Sequence, residues 1–298
     1  MGLTDNELQS AEAAVRVGPA GWSYRDWEGT VYPPDRSPST HPLTLLCQYF
    51  DTVEINSTFY APAQAKNAVS WLERVVDNSR FRFGAKLWRR FTHENGGELS
   101  KADIEAYCEG LRPLVDGGRL RAVLAQFPWS FRRTPRNRLW LGRVLDAFDE
   151  YPLAVEFRHG SWDKPEVYEG LRERNVAFCN IDQPLFKDSL PPGEAVTASL
   201  AYVRLHGRNK ENWFRKDAGR DERYDYLYTE EELTPWVCRI KRMREKAEEI
   251  LVVTNNHFQG QAVVNALELA YGLNKTIPRL PESLVYAWPR LNEVGGNK

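Results

Sequence analysis

No Cys-x-x-Cys pair occurs anywhere in this chain, whose four cysteines (Cys47, Cys108, Cys179 and Cys238) lie far apart. That argues against a zinc site built on cysteine pairs and points to reduced, buried thiols acting as small hydrophobes. No GxGxxG or GxxxxGK[ST] stretch is present, so the glycine loops that cradle dinucleotides or nucleotide triphosphates are missing. No apolar run approaches the roughly 20 residues of a membrane-spanning helix. The N-terminus carries no apolar targeting stretch; residues 1–14, with Thr4, Asp5, Asn6 and Glu7, read as a polar tail, and a cytoplasmic location is expected. Charge of one sign is also lacking: 40 Lys and Arg against 41 Asp and Glu leave a formal net charge of -1. Global electrostatics therefore steer the chain to neither nucleic acid nor membrane, and local patches have to carry any such claim.

What is present is alternation. Short β-branched runs predict strands at Val15–Ala20, Thr52–Asn56, Phe81–Leu87, Arg121–Phe127, Leu153–Phe157, Val176–Ile181, Ala201–His206 and Ile250–Asn255. Helical periodicity separates them at His41–Phe50, Lys66–Val75, Lys101–Val115, Arg136–Phe148, Lys164–Glu173 and Glu230–Glu248, and the last strand leads into Gln261–Tyr271. Pro42 and Pro165 suit first helical positions, with Ser39 or Thr40 and Asp163 as candidate caps. Eight strands with intervening helices predict an α/β fold, a single (β/α)8 TIM-type barrel spanning residues 1–298, whose tail after Pro278 wraps the outside. A doubly wound open sheet is the alternative.

Side chains alternate between faces along a strand. Thr52, Glu54 and Asn56 oppose Val53 and Ile55; Ala154, Glu156 and Arg158 oppose Leu153, Val155 and Phe157; Tyr202, Arg204 and His206 oppose Val203 and Leu205. Phe178, Asn180 and Asp182 share a face, as do Gly84 with Lys86 and Thr254 with Asn256. The polar sets are expected to point inward and gather at the C-terminal mouth, where barrel enzymes keep their catalytic groups. Glu54, Glu156 and Asp182 balance Lys86, Arg158 and Arg204, so a purely structural network is the competing reading.

Four of the five histidines, His93, His159, His206 and His257, follow strands. Trp22, Trp88, Trp129, Trp162 and Trp213 also lie just beyond strands, a pattern suited to stacking on sugars, bases or other flat groups. Two loops are basic: Arg89 and Arg90 after the third strand, and Arg132, Arg133, Arg136 and Arg138 after the fourth. The segment Gly207–Tyr228 is a candidate lid, and the turn 255–260 a candidate anion site at a helix start.

Several of these stretches resemble one known family. Gly21-Trp22-Ser23-Tyr24, the run Phe50 to Tyr60 (FDTVEINSTFY), Gln126-Phe127-Pro128, Val155 to His159, Arg204 to Arg208 and Asn255-Asn256-His257 occur in the order seen in the YecE-like family, domain of unknown function 72. The resemblance implies a TIM-type barrel and implies little about activity. Where that family usually reads Gly-Thr-Ser before the first motif, this chain has Gly18-Pro19-Ala20, so no role is assigned to hydroxyls there.

The expected catalytic set is Glu54, Glu156, Asp182 and His206. The expected ligand contacts are Trp22, Tyr24, Asn56, Lys86, Trp88, Gln126, Trp129, Arg158, His159, Arg204, Asn256 and His257. Three readings stand. One is a metal-independent enzyme with hydrolase-like acid–base chemistry on an anionic, phosphate-bearing, aromatic or sugar-containing small molecule, with Glu54 and Glu156 as the carboxylate pair and no cofactor. The second is a metal-dependent phosphoesterase or isomerase ligated by Glu54, Glu156, Asp182, His206 and His257. The third is a non-enzymatic protein that binds nucleic acid or a phosphorylated partner through Arg132, Arg133, Arg136 and Trp129.

Overall fold

A computed structural model of the chain describes residues 13–94, 98–215, 217–275 and 280–294. All eight expected strands form: β1 (Ala14–Pro19), β2 (Thr52–Ile55), β3 (Arg82–Lys86), β4 (Leu120–Gln126), β5 (Leu153–Glu156), β6 (Ala177–Asp182), β7 (Leu200–Leu205) and β8 (Glu249–Thr254). They are parallel, in the order β1-β8-β7-β6-β5-β4-β3-β2. A bridge between Ala20 and Glu54 joins the two ends, and the Gly21 N–H reaches the Glu54 carbonyl at 2.8 Å. Gly18 makes that seam possible: a Cβ there would sit 1.9 Å from the Thr52 carbonyl oxygen. The result is a nearly closed TIM-type barrel with helices between its strands.

The helices are α1 (Pro42–Leu46), α2 (Ala65–Arg74), α3 (Arg89–Thr92), α4 (Lys101–Asp116), α5 (Pro135–Ala147), α6 (Pro165–Glu173), α7 (Lys210–Trp213), α8 (Arg220–Arg223), α9 (Glu230–Met243), α10 (Gln261–Asn274) and α11 (Glu282–Ala287). Their starts follow ordinary capping chemistry. Ser100 accepts from the Asp103 N–H, Thr134 from Asn137, and Thr229 with Glu232 forms a capping box. Two expected caps differ. His41, through Nδ1, accepts from Leu43 and caps α1 in place of Ser39 or Thr40, and Asp163 instead accepts a hydrogen bond from the Tyr168 hydroxyl.

The apolar strand faces pack on these helices as expected for β2, β5 and β7. In β6 and β8 the polar set faces the helices instead. Phe178 packs on Tyr168 of α6; Asn180 binds the Ala195 backbone; Thr254 and Asn256 meet the Ala262 carbonyl and Asn265 of α10. The interior is already filled by Tyr202 and Arg204 of β7, so β6 turns its small Cys179 inward, close to Glu54, Glu156 and Arg204. Cys47 and Cys179 are buried, whereas Cys108 is half-buried and Cys238 exposed.

In α11 Leu284 is buried; after it Leu291 is buried and Arg290 pairs with Glu268 of α10 at 2.6 Å. Of the expected tail, residues 1–12 lie outside the described residues, and Ala14 already opens β1. Among the described residues no helix is long and apolar enough to cross a membrane.

Candidate active site

Four buried side chains build a floor beneath the C-terminal mouth. From β7, Arg204 reaches Glu54 of β2 with one terminal nitrogen (2.6 Å) and Glu156 of β5 with the other (2.5 Å). The Tyr202 hydroxyl donates to the second Glu54 oxygen at 2.9 Å. Gly84 permits this reach, since a Cβ there would lie 2.8 Å from the same hydroxyl. The remaining Glu156 oxygen faces Arg158 Nε at 2.6 Å and His206 Nε2 at 3.3 Å. The two carboxylates thus converge inside the barrel as their strands predict, with a guanidinium between them; three of the four oxygens accept hydrogen bonds, and the fourth, on Glu156, is held by charge alone. Two buried acids stand against Arg158 and Arg204, which closes the charge balance of the floor.

Above the floor opens a cavity of about 520 Å³. Lys86, Gln126, Asn56, Arg158, Trp129, Tyr24 and His257 line it, all expected from sequence. The Lys86 ammonium lies 3.1 Å from Gln126 Oε1 and 4.1 Å from the centre of the Phe59 ring. Its backbone carbonyl accepts from the Thr58 and Tyr107 hydroxyls, which fixes the base of the side chain. Arg158 lies 5.4 Å from the Trp213 ring centre, and Tyr24 stacks on His257 at 4.6 Å. Among the described residues lining this cavity there are three cationic side chains, Lys86, Arg158 and Arg223, two histidines, seven aromatic rings, and no Asp or Glu.

Burial governs the titration of the site. It pulls the Lys86 ammonium down to about 7, with neighbouring Arg204 pushing the same way and Glu54 and Glu156 opposing. His206 falls to about 3, through burial and then Arg158, and His93 to about 4, through burial and then Lys86 and Arg89, so both imidazoles are neutral at neutral pH. Burial would raise Glu156, but Arg158, Arg204 and His206 outweigh it and hold the carboxyl well below the usual range.

The remaining expected residues fall elsewhere. Asp182 sits on the helix side of β6, where Arg208 (2.7 and 2.8 Å), the Tyr228 hydroxyl and the Trp236 indole hold it. Asn256 points to α10, and its neighbour Asn255 lines the cavity and meets His206 Nδ1 at 3.1 Å. Of the five tryptophans expected at the mouth, Trp129 and Trp213 line the cavity. Trp22 packs on Trp71, Trp88 donates to the Tyr60 carbonyl, and Trp162 is stacked between Phe157 and Phe131 in the core. His159 stands behind Trp129, its ring 4.9 Å away, and accepts from the Ser161 N–H. The five residues considered as metal ligands are not gathered; among the described residues no three His, Cys, Asp or Glu side chains form a group able to hold a metal ion.

Sequence reasoning missed Phe59, Tyr60, Phe214, Arg223 and Tyr224 in the wall. Phe59 and Tyr60 end the FDTVEINSTFY run. The other three belong to the 207–228 segment, which crosses the mouth: Phe214 touches Trp129 and Phe186, and Tyr224 touches His257. The turn before α10 is not open to an anion at Gln259, because Asp26 already accepts its N–H at 2.6 Å. In the basic loops, Arg89 pairs with Glu94, Arg90 with Asp103 and Arg133 with Glu166, while Arg132 lies over Trp129.

Residues 16–285 match the family described as Protein of unknown function DUF72. The chain belongs to the DUF72 family. It is 28% identical over 268 residues to the UPF0759 protein YunF of Bacillus subtilis (strain 168), covering 86% of this chain and 93% of that protein. A crystal structure of a DUF72 protein from Thermotoga maritima MSB8 superposes with a TM-score of 0.79 at 37% identity, covering 87% of this chain and 99% of that one. One from Enterococcus faecalis V583 does so with a TM-score of 0.76 at 26% identity, over 90% and 99%. In this DUF72 chain the matched region begins inside β1 and ends inside α11, so it contains most of β1, all of β2 to β8 and every residue of the floor and cavity wall.

Proposed function

We propose that the mouth of the barrel binds a small anionic molecule carrying a ring and acts on it by acid–base chemistry in which Lys86 is the base. The supporting observation is the wall itself: cations and aromatic rings without a carboxylate. Such a surface attracts a phosphate or carboxylate group and offers flat faces for a sugar or heterocycle. Arg158 and Arg223 hold the anion, and Trp129 and Trp213 flank the ring. Glu54 and Glu156 serve this site at one remove, by setting the positions of Arg204 and Arg158. A lysine near 7 is matched to proton transfer at neutral pH, whereas Glu156, held ionised by its arginines, is a weak acid–base partner there.

A small-molecule site is favoured over a nucleic-acid surface because Arg89, Arg90 and Arg133 are paired to acids at the surface, whereas the described lining of the cavity holds no Asp or Glu and the acid that Arg158 meets, Glu156, lies in the floor beneath it. Calorimetric titration with AMP and glucose 6-phosphate, each beside its dephosphorylated counterpart, tests the reading. Binding that needs the phosphate and weakens about tenfold or more in Arg223→Gln supports it. Equal binding of both members of each pair, or no binding of any, overturns it. Affinity confined to oligonucleotides, falling steeply with salt, would place function on the basic loops instead.

A further inference from the structure

Lys86 is a buried lysine that has no ion pair with an acid among the described residues. Two carboxylates stand beside it on β2 and β5, yet Glu54 is taken by Arg204 and Tyr202, and Glu156 by Arg204, Arg158 and His206. What meets the amine is one amide oxygen, that of Gln126 on β4, and the face of Phe59. Two permanent cations, Arg204 of β7 and Arg158 just after β5, act on it as well and disfavour its charged form. Lys86 also lines the cavity, so the amine and the anion-holding arginines share one space. A structural lysine is normally salt-bridged or reaches water. A lysine kept among cations, with its stem fixed and its amine facing a cavity, is arranged as a nucleophile.

We infer that Lys86 forms a Schiff base with a carbonyl group carried by the anionic ligand. The inference rests on the reading of the cavity as an anion site and adds to it a substrate class, ring-bearing anions with an aldehyde or ketone. The neutral Nζ attacks the carbonyl carbon. Its new C–N bond becomes a C=N bond as the carbonyl oxygen leaves as water, taking both amine protons, so no oxidant, reductant or metal enters the step. Once protonated, the imine accepts an electron pair from the adjacent carbon, so the C–H or C–C bond there, whose electrons flow into the C=N, becomes the one that breaks. His93 lines the same cavity wall.

Reductive trapping on the intact wild-type protein tests this, so no variant has to fold. The protein is treated with limiting pyridoxal 5′-phosphate or pyridoxal in the presence of cyanoborohydride at neutral pH, and peptide masses locate the adducts. Lys86 is expected to be the dominant site, with the phosphorylated aldehyde reacting at least about tenfold faster. Its rate should rise with pH through about 7, where exposed lysines remain protonated. In Arg223→Gln the phosphate advantage should shrink while pyridoxal still labels Lys86. Adducts spread over surface lysines, with Lys86 unmodified or no faster than they are, overturn the inference. If AMP still binds in that case, the anion site stands and the Schiff base alone falls; if AMP does not bind, both fall.

Discussion

Arg204 and Glu156 meet at 2.5 Å with neither side chain more than 1% exposed. The same guanidinium holds Glu54, so one arginine bridges two buried acids from β2 and β5, and Arg158 supplies the second positive charge. Removing it while leaving the acids costs far more than removing all three charges. Arg204→Met should lower stability by about 3–5 kcal/mol in denaturant unfolding, and adding Glu54→Gln and Glu156→Gln should recover a large part of the loss. A single replacement that costs under about 1 kcal/mol would show that the floor is not the linchpin described.

The glycines of the barrel separate cleanly. Gly84→Ala brings a methyl group within 2.8 Å of the Tyr202 hydroxyl and should push it off Glu54, lowering Tm by several degrees. Gly142→Ala, in the middle of α5 with nothing within 4 Å of the added carbon, should raise stability by up to about 1 kcal/mol. Parallel melts of the two variants check the contrast.

His206 sets an acid limit. Its folded value near 3 lies below the ordinary 6.5, so between those two pH values the unfolded chain binds the proton and the folded one does not. Stability therefore falls as pH drops through this window. His206→Asn should reduce the slope of unfolding free energy against pH there, the rest coming from His93, and leave the slope above about 7 unchanged.

Lys86 acts at the other end. With 10.5 as its ordinary value and about 7 in the fold, stability rises with pH between the two. At about 1.4 kcal/mol per tenfold, the charged amine costs the fold at most about 5 kcal/mol below that window. Lys86→Met should be the more stable protein at pH 6, with an advantage that shrinks as pH climbs toward 10. An advantage independent of pH would mean that Lys86 titrates normally.

The strand alternation in β2, β5 and β7 made the floor legible, because Glu54, Glu156, Tyr202 and Arg204 each stand two residues from another polar inward position. The same rule placed Asp182 and Asn256 wrongly. Alternation gives two faces but not which one turns inward, and in β6 the bulk of Phe178 and the volume taken by Tyr202 and Arg204 decided that. The partnership of Glu54 with Arg204 could not be read from a chain in which they lie 150 residues apart. The 207–228 segment was seen as a cover, but which of its residues face the mouth depends on contacts made by Phe214 and Tyr224 with loops after β4, β6 and β8.

The most direct test of the central claim is the crystallographic position of a bound phosphate. Crystals of the protein soaked in AMP should show the phosphate within hydrogen-bond reach of Arg158 or Arg223 and the base against Trp129 or Trp213, inside the mouth. A phosphate seated instead on the outer loops at Arg132 or Arg136, with the cavity holding only water, would contradict the account.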